Sequence, residues 1–122
     1  MTIALKDIET ARKRIQGVIQ KTQLTASHSA SQWIGTQVHF KFENEQRTGS
    51  FKIRGALNKI KSLSPQELQQ GIIASSAGNH AQGVALSATL CGAKSKIVMP
   101  VNSPLIKVTA TQGYGAEVLL HG

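Results

Sequence analysis

The chain has 122 residues, 40% hydrophobic and 16% charged, which is typical of a globular protein with one hydrophobic core. Its net charge of +8 permits nucleic-acid binding, but aromatic residues make up only 4%, too few for base-stacking platforms. The single cysteine, Cys91, excludes an internal disulfide and favours a reducing cytoplasm, and the histidines lack metal-ligand spacing. No segment has the composition of a signal peptide or of a membrane span, so neither nucleic acid, a metal nor a membrane is the expected partner.

Two helices and a strand are predicted in the first part of the chain. Apolar residues recur at helical spacing between charged ones over 6–20, which predicts an amphipathic helix. The segment QVHFKFEN, residues 37–44, alternates apolar and polar side chains and predicts a half-buried strand. Ser50 has the position of an N-cap for a helix over 51–63, whose apolar residues recur on one face.

Short strands and helices alternate in the second part. The tetrapeptide SPQE, which begins at Ser64, is a capping-box pattern with proline at the first helical position, and it predicts a short helix that ends at Gly71. Strands are then predicted over 71–76, 96–100 and 116–120, with helices over 79–92 and 103–113 between them. Ser103 is the expected cap of the last helix. Such short connections imply right-handed crossovers, so the predicted fold class is α/β, a parallel βαβαβ sheet with flanking helices.

The last predicted strand reaches almost to Gly122. Strands of a parallel sheet are usually paired on both sides and covered on both faces. An edge strand at this point would lack such neighbours. We therefore expect the sequence to be the front part of a larger protein.

The stretch RTGSFKIRGA, residues 47–56, places a lysine where a loop becomes a helix. Lys52 would lie in the first helical turn, where unpaired backbone N–H groups and the helix dipole disfavour an ammonium. A neutral lysine amine is the nucleophile that forms a Schiff base with an aldehyde cofactor. Thr48 and Gly49 would allow a close approach, and Phe51 would act as an apolar shield. A solvated lysine at a helix start fits the same local pattern.

A second stretch, SSAGNHAQG, residues 75–83, follows a predicted strand and begins a helix. In α/β folds, anions bind at the carboxyl ends of the strands, where this stretch lies. Its hydroxyl and backbone N–H groups would therefore face a carboxylate or a phosphate. Asn79 can donate a hydrogen bond to an oxygen, whereas His80 is either a base or a structural polar residue. The spacing matches neither the Walker loop nor G-x-G-x-x-G, which argues against nucleotide enzymes of those classes.

Together, KFENEQRTGSFKIRGA and SAGNHAQGVA closely resemble the fold-type-II (tryptophan synthase beta-like) pyridoxal-phosphate enzymes, and among them the catabolic-type threonine (serine) dehydratases. The resemblance covers nearly the entire chain, including Pro100 and the closing YGAEVLLHG. It implies pyridoxal 5'-phosphate as cofactor, an amino acid as substrate, and a homo-oligomer in the full-length form. It also implies two domains, with residues 1–65 in the large cofactor-bearing domain and residues 66–122 forming the first part of the small one.

The resemblance assigns a role to each site residue. Lys52 would hold the cofactor as a Schiff base and then remove the Cα proton of the substrate. Phe51 would pack beside the cofactor, and Asn79 would bond its ring 3-hydroxyl. The substrate carboxylate would bind to a loop formed by Ser76, Ala77, Gly78, Asn79 and His80. The implied reaction converts L-threonine to 2-oxobutanoate and ammonia, and L-serine to pyruvate.

Differences from other branches of the family favour dehydration. The cysteine-synthase branch tends to have Asp-Arg after the lysine and threonine after the asparagine, where this chain has Ile53-Arg54 and His80. Serine racemases carry a serine in place of Ala77, and that hydroxyl delivers a proton to the opposite face of the ring. Alanine has no such proton, so a serine racemase is the less favoured alternative within the family.

The glycine-rich phosphate-binding loop of the family is not found in residues 1–122. We therefore expect this chain alone to bind the cofactor weakly and to turn over threonine poorly. Two other classes remain open. One is a non-catalytic fragment that acts only by association through exposed Val118, Leu119 and Leu120. The other is a basic nucleic-acid binder, whose retention would depend steeply on salt.

Overall fold

The computed structural model describes residues 2–122, in which six α-helices pack around a two-stranded and a three-stranded sheet. The helices are α1 (Leu5–Ile15), α2 (His28–Ile34), α3 (Lys52–Ile60), α4 (Pro65–Gln70), α5 (Asn79–Leu90) and α6 (Leu105–Gly113). The strands are β1 (Leu24–Ala26), β2 (His39–Lys41), β3 (Ile72–Ser75), β4 (Ser95–Met99) and β5 (Glu117–Leu120). A single 3-10 turn, Glu43–Glu45, follows β2.

The three-stranded sheet confirms the predicted α/β class. Its strands run parallel in the order β3-β4-β5, and α5 and α6 form the two crossovers between them. The register pairs Ala74 with Ile97 and Ile97 with Val118, so these side chains share one face. That face carries the core, whereas the opposite face has Ile73 at 76% exposure and an ion pair between Lys96 and Glu117 of 3.0 Å.

The core joins α3, α5, α6 and the parallel sheet. Alanine side chains on α5 are small, so the neighbouring helix and strands can pack closely against its backbone. The buried cluster consists of Ala56, Ile60, Ala81, Val84, Ala85, Ala88, Ala93, Ile97, Met99, Val108 and Ala116. Helix α3, which precedes residue 65, therefore contributes to the same core as the elements that follow it. The division into domains at residue 65 stays a prediction.

The N-terminal part contains two elements that were not predicted from the sequence, β1 and α2. Strand β1 pairs antiparallel with β2, and all of its three residues are exposed, so it has no apolar alternation to detect. The strand predicted over 37–44 is shorter than expected, because the chain turns into the 3-10 helix after Phe42. The start of helix α2 does have a signal in the sequence, which is the N-cap residue Ser27. Its hydroxyl accepts a hydrogen bond from the Ala30 amide at 3.3 Å.

Helix ends were predicted with mixed success. The Ser64 cap is confirmed, because its hydroxyl accepts from the Glu67 amide while the Glu67 carboxylate accepts from the Ser64 amide. The prediction that the first helix reaches residue 20 is wrong. It ends at Ile15, and the chain then turns at Gly17, whose φ of 80° favours glycine.

The predicted cap of the last helix is wrong as well. Helix α6 begins at Leu105 with Pro104 in the N-cap position, and no side chain caps it. The hydroxyl of Ser103 is buried and has no hydrogen-bond partner within residues 2–122. Across the same described range, no helix is long and apolar enough to cross a bilayer.

Candidate active site

Lys52 is the first residue of α3, so its predicted place in the first helical turn is confirmed. The N-cap residue is Phe51 rather than Ser50, and its side chain makes no capping hydrogen bond. The buried Ser50 hydroxyl still accepts a hydrogen bond from the Lys52 amide at 3.3 Å. Ser50 thus supports the first turn of the helix from the position just before the N-cap, instead of being the N-cap itself.

The Lys52 side chain is exposed and lies beside an aromatic ring. Its Nζ is 4.8 Å from the centroid of the Phe51 ring, a distance typical of a cation–π contact. The ring itself is 57% exposed. Phe51 therefore contacts the lysine amine on one side without enclosing it, so the predicted apolar shield is only partial among the described residues.

Gly83 of α5 lies directly behind the backbone of Lys52. A Cβ at this position would lie 3.2 Å from the Lys52 carbonyl carbon and 3.1 Å from the Ile53 amide nitrogen, tighter than nine in ten real Cβ contacts. The absent side chain therefore lets the start of α3 rest on α5, one helical turn beyond Asn79. This role of Gly83 was not predicted from the sequence, although a glycine in a helix interior is a recognisable signal.

The loop from Ser76 to Gly78 connects β3 to α5. The Ser76 amide donates to the Val98 carbonyl at 3.1 Å, and the Gly78 amide donates to the Ser76 hydroxyl at 3.3 Å. Gly78 is the N-cap of α5 and provides no side-chain cap for the first N–H groups of that helix. Such groups bind anions well, so this end of the helix suits a carboxylate. Ala77 is half-buried within the loop.

Asn79 and His80 begin α5 and have different surroundings. The Asn79 side-chain oxygen accepts a hydrogen bond from the Lys107 amine at 3.1 Å. His80 lines an open cavity of about 360 Å³ together with apolar residues of α3 and β3. A larger, more open pocket of about 610 Å³ lies along α2, and none of the predicted site residues lines it.

An ion pair links the first turn of α3 to the 3-10 turn that follows β2. Arg54 donates from Nε and Nη2 to the two carboxylate oxygens of Glu43, each at 2.8 Å, and Thr22 donates to the same carboxylate at 2.5 Å. The hydrogen bond from Arg54 lowers the pKa of Glu43 to about 2, well below the ordinary value of 4.5. The same hydrogen bond raises the pKa of Arg54. This contact fixes the helix two residues after Lys52.

The loop before Lys52 has one anchor and one unsatisfied group. The Tyr114 hydroxyl donates to the Arg47 carbonyl at 3.1 Å, which ties this loop to the segment between α6 and β5. The Thr48 hydroxyl is buried without a hydrogen-bond partner in the described chain. A buried hydroxyl of this kind is commonly satisfied by a ligand or a water.

These residues fit the aldehyde and ring of a pyridine aldehyde cofactor. The site offers an exposed amine for the aldehyde, an aromatic ring beside it, a side-chain amide, a helix N-terminus without a side-chain cap and the unsatisfied Thr48 hydroxyl. Together they would serve the aldehyde and ring of the cofactor and the carboxylate of an amino acid. The sequence provides no glycine-rich loop for the cofactor phosphate.

Comparisons with known proteins agree with this chemistry. The catabolic L-threonine dehydratase of Escherichia coli K12 is 50% identical over 122 residues, which are all of this chain and 37% of that protein. The L-threonine ammonia-lyase of Thermotoga maritima is 49% identical over 98% of this chain and 30% of its own length. The crystal structure of serine racemase from Dictyostelium discoideum superposes with a TM-score of 0.93 at 41% identity, over 98% of this chain and 40% of that one.

The chain thus spans about a third of the length of these curated relatives. The family model described as pyridoxal-phosphate dependent enzyme matches residues 15–122. This match confirms the resemblance predicted from the two motifs. The chain belongs to the family of pyridoxal-phosphate dependent enzymes.

Proposed function

We propose that this chain carries the lysine-bearing part of a threonine dehydratase, which converts L-threonine to 2-oxobutanoate and ammonia. The supporting observation is the position of Lys52, whose amine is exposed at the start of α3 while its backbone rests on α5 at Gly83. This packing holds the backbone of Lys52 in place, which would position its amine for the cofactor. Half of the residues are identical to those of a catabolic L-threonine dehydratase, which supports the choice of reaction.

Each residue of the site has one task in this proposal. When bound, pyridoxal phosphate supplies an electron-withdrawing ring that stabilises negative charge at the substrate Cα. Lys52 holds the cofactor through its amine, and the freed amine takes the proton from Cα as a general base. Phe51 would pack beside the cofactor ring, and the Asn79 side-chain amide would donate to the 3-hydroxyl oxygen of that ring. The substrate carboxylate would bind at the loop from Ser76 to His80, where the N–H groups of Ala77, Asn79 and His80 have no hydrogen-bond partner in the described chain.

Threonine and serine both fit this chemistry. They differ by one methyl group, which discriminates by only about 1–3 kcal/mol in a binding pocket. Serine would give pyruvate and ammonia by the same proton removal at Cα and loss of the β-hydroxyl as water, after which the resulting enamine is hydrolysed to the 2-oxo acid and ammonia. The proposal therefore includes serine as a second substrate.

Racemisation is the alternative within the family. It draws support from the likeness to a serine racemase structure at a TM-score of 0.93. Proton delivery from the opposite face of the ring requires a titratable group there. Ala77 has no such group in its side chain, so dehydration remains the favoured reaction.

The setting of the enzyme is also part of the proposal. We assign residues 1–65 to a large cofactor-bearing domain and residues 66–122 to the start of a small domain. A homo-oligomer of the full-length form and a reducing cytoplasm complete the proposal. The free thiol of Cys91 suits that compartment.

Borohydride trapping tests the central claim. The purified chain would be titrated with pyridoxal phosphate, reduced with borohydride and mapped by peptide mass spectrometry. We expect a phosphopyridoxyl group on Lys52 in excess over all other lysines. The variant Lys52→Met should lose this label, whereas Lys59→Met, which removes another exposed lysine from the same helix, should retain it. Labelling spread evenly over the lysines would contradict the proposal for this chain.

A further inference from the structure

A lysine on α6 reaches across to the first residue of α5. The Lys107 amine donates to the side-chain oxygen Oδ1 of Asn79 at 3.1 Å, although the two residues lie 28 positions apart. The base of the lysine is firmly held, because the Thr111 hydroxyl donates to the Lys107 carbonyl at 2.8 Å and Thr111 is fully buried. The neighbouring Val108 belongs to the core. The cation is therefore attached to a rigid part of the fold.

The chemistry of an ammonium decides which end of the Asn79 carboxamide faces it. A lysine amine in its charged form has three donors and no acceptor, so its partner atom must be the carbonyl oxygen. The amide nitrogen Nδ2 of Asn79 is then directed away from Lys107. It makes no hydrogen bond to any group in residues 2–122, so both of its donors are available to a ligand.

An unrestrained asparagine would present either end of its carboxamide, since rotation about χ2 exchanges oxygen and nitrogen at little cost. The two ends have opposite effects on a ligand oxygen. The N–H group donates to an anionic or phenolic oxygen, whereas the carbonyl oxygen repels it. The orientation of this carboxamide therefore decides whether Asn79 stabilises such a ligand.

We propose that Lys107 is a positioning residue that fixes the Asn79 carboxamide with its amide nitrogen toward the ligand. The inference rests on the proposed function only in naming the ligand acceptor, which is the 3-hydroxyl oxygen on the ring of pyridoxal phosphate. Lys107 touches neither cofactor nor substrate in this role. It acts through Asn79, and its charge keeps the carbonyl end of the amide occupied.

Side-chain mobility tests the orienting contact without any cofactor. In the full 122-residue chain, the Asn79 side-chain amide would be followed by NMR relaxation. We expect a rigid side chain in the wild type and an order parameter below about 0.6 in Lys107→Met. The variant Lys107→Arg keeps the charge and a donor and should restore rigidity. Lys94→Met removes an exposed lysine elsewhere and should change nothing. If Lys107→Met fails to fold, Lys107→Leu, which also lacks a hydrogen-bond donor, replaces it.

Cofactor titration then tests the consequence for the ligand. Asn79→Ala and Lys107→Met should each weaken pyridoxal-phosphate binding by about 3- to 10-fold, the loss expected for one hydrogen bond. Both should shift the ratio of the cofactor absorption bands in the same direction. The double variant should bind pyridoxal phosphate as tightly as the weaker-binding of the two single variants, because the two residues act as one unit.

The outcomes separate the inference from the proposed function. An effect of Asn79→Ala without any effect of Lys107→Met would overturn the inference and leave the proposed function intact. Absence of the phosphopyridoxyl label on Lys52 in the wild type would count against the proposed function. The NMR relaxation of the Asn79 side chain would still test the contact with Lys107 in that case. An Asn79 side chain equally rigid in wild type and Lys107→Met would overturn the inference by itself.

Discussion

Gly83 and Lys52 are in such close contact that a single carbon atom added to Gly83 would lie 3.2 Å from the Lys52 carbonyl carbon. The nearest atoms belong to the backbone of α3, which cannot move aside as a flexible side chain would. The position of the candidate catalytic lysine thus depends on the absence of a side chain on another helix. This relationship makes the two helices one structural unit.

Gly83→Ala is expected to lower the free energy of unfolding by about 1–3 kcal/mol, because α3 must shift to accommodate the new methyl group. Thermal denaturation measures the loss. Gly55→Ala is the matched control, since nothing lies within 4 Å of a Cβ there. That variant should gain up to about 1 kcal/mol from its better helix propensity. Equal effects of the two substitutions would refute the steric explanation.

The ion pair between Glu43 and Arg54 predicts a dependence of stability on pH. The pKa of Glu43 is about 2 in the folded chain against an ordinary value of 4.5. A lowered pKa in the folded state gives stability that is present in full above about 4.5 and is lost as the pH falls through about 2. We expect about 1–2 kcal/mol from this partly exposed pair.

Urea unfolding of Glu43→Gln over a series of pH values measures this contribution. The variant should be less stable than the wild type at neutral pH, and the difference should shrink as the pH falls from 4.5 toward 2. Glu45→Gln, on the same 3-10 turn but exposed, is the control. A difference that persists unchanged at low pH would show that the carboxylate charge has no part in it.

Tyr114→Phe is expected to loosen the loop that precedes Lys52. The substitution removes the hydroxyl that donates to the Arg47 carbonyl at 3.1 Å, while the ring keeps its packing. The cost should be about 0.5–1.5 kcal/mol, as for one hydrogen bond. Hydrogen exchange should become faster in residues 47–50, with α4 as the internal reference. Unchanged exchange in that loop would show that the hydroxyl does not restrain it.

Ser64→Ala is expected to destabilise α4 and to cost about 1 kcal/mol, because the capping box loses the hydroxyl that accepts from the Glu67 amide. Ser64→Thr retains a hydroxyl and should recover most of this loss. The two variants can be compared by chemical denaturation. A Thr variant as unstable as the Ala variant would point to packing rather than capping.

The chain alone should turn over threonine more slowly than about 1 per second, the low end of ordinary enzyme rates. The reason is that the sequence contains no glycine-rich loop to hold the cofactor phosphate. Release of 2-oxobutanoate in excess pyridoxal phosphate measures the rate. Turnover at about 1 per second or above would show that the phosphate is held by other residues.

Local sequence patterns were sufficient to predict the parallel sheet and two of the helix starts. The Ser64 capping box, the alternation from β3 to β5 and the place of Lys52 at a helix start all depend on residues that are neighbours in the chain. Strand β1 escaped detection because its three residues are all exposed and carry no apolar alternation. Ser103 was a misleading cap signal, since Pro104 occupies the N-cap position of α6.

The sequence by itself predicted the family and the α/β class, and it singled out Lys52 as the lysine proposed to hold the cofactor. These follow from short motifs whose residues act through local backbone geometry. Only the tertiary structure decided which groups contact the helical turn that bears Lys52 and the side chain of Asn79. Gly83 meets α3 through space, Arg54 meets Glu43 11 residues away, and Lys107 meets Asn79 28 residues away. Such contacts exist only after helices pack, so no periodicity or spacing along the chain encodes them.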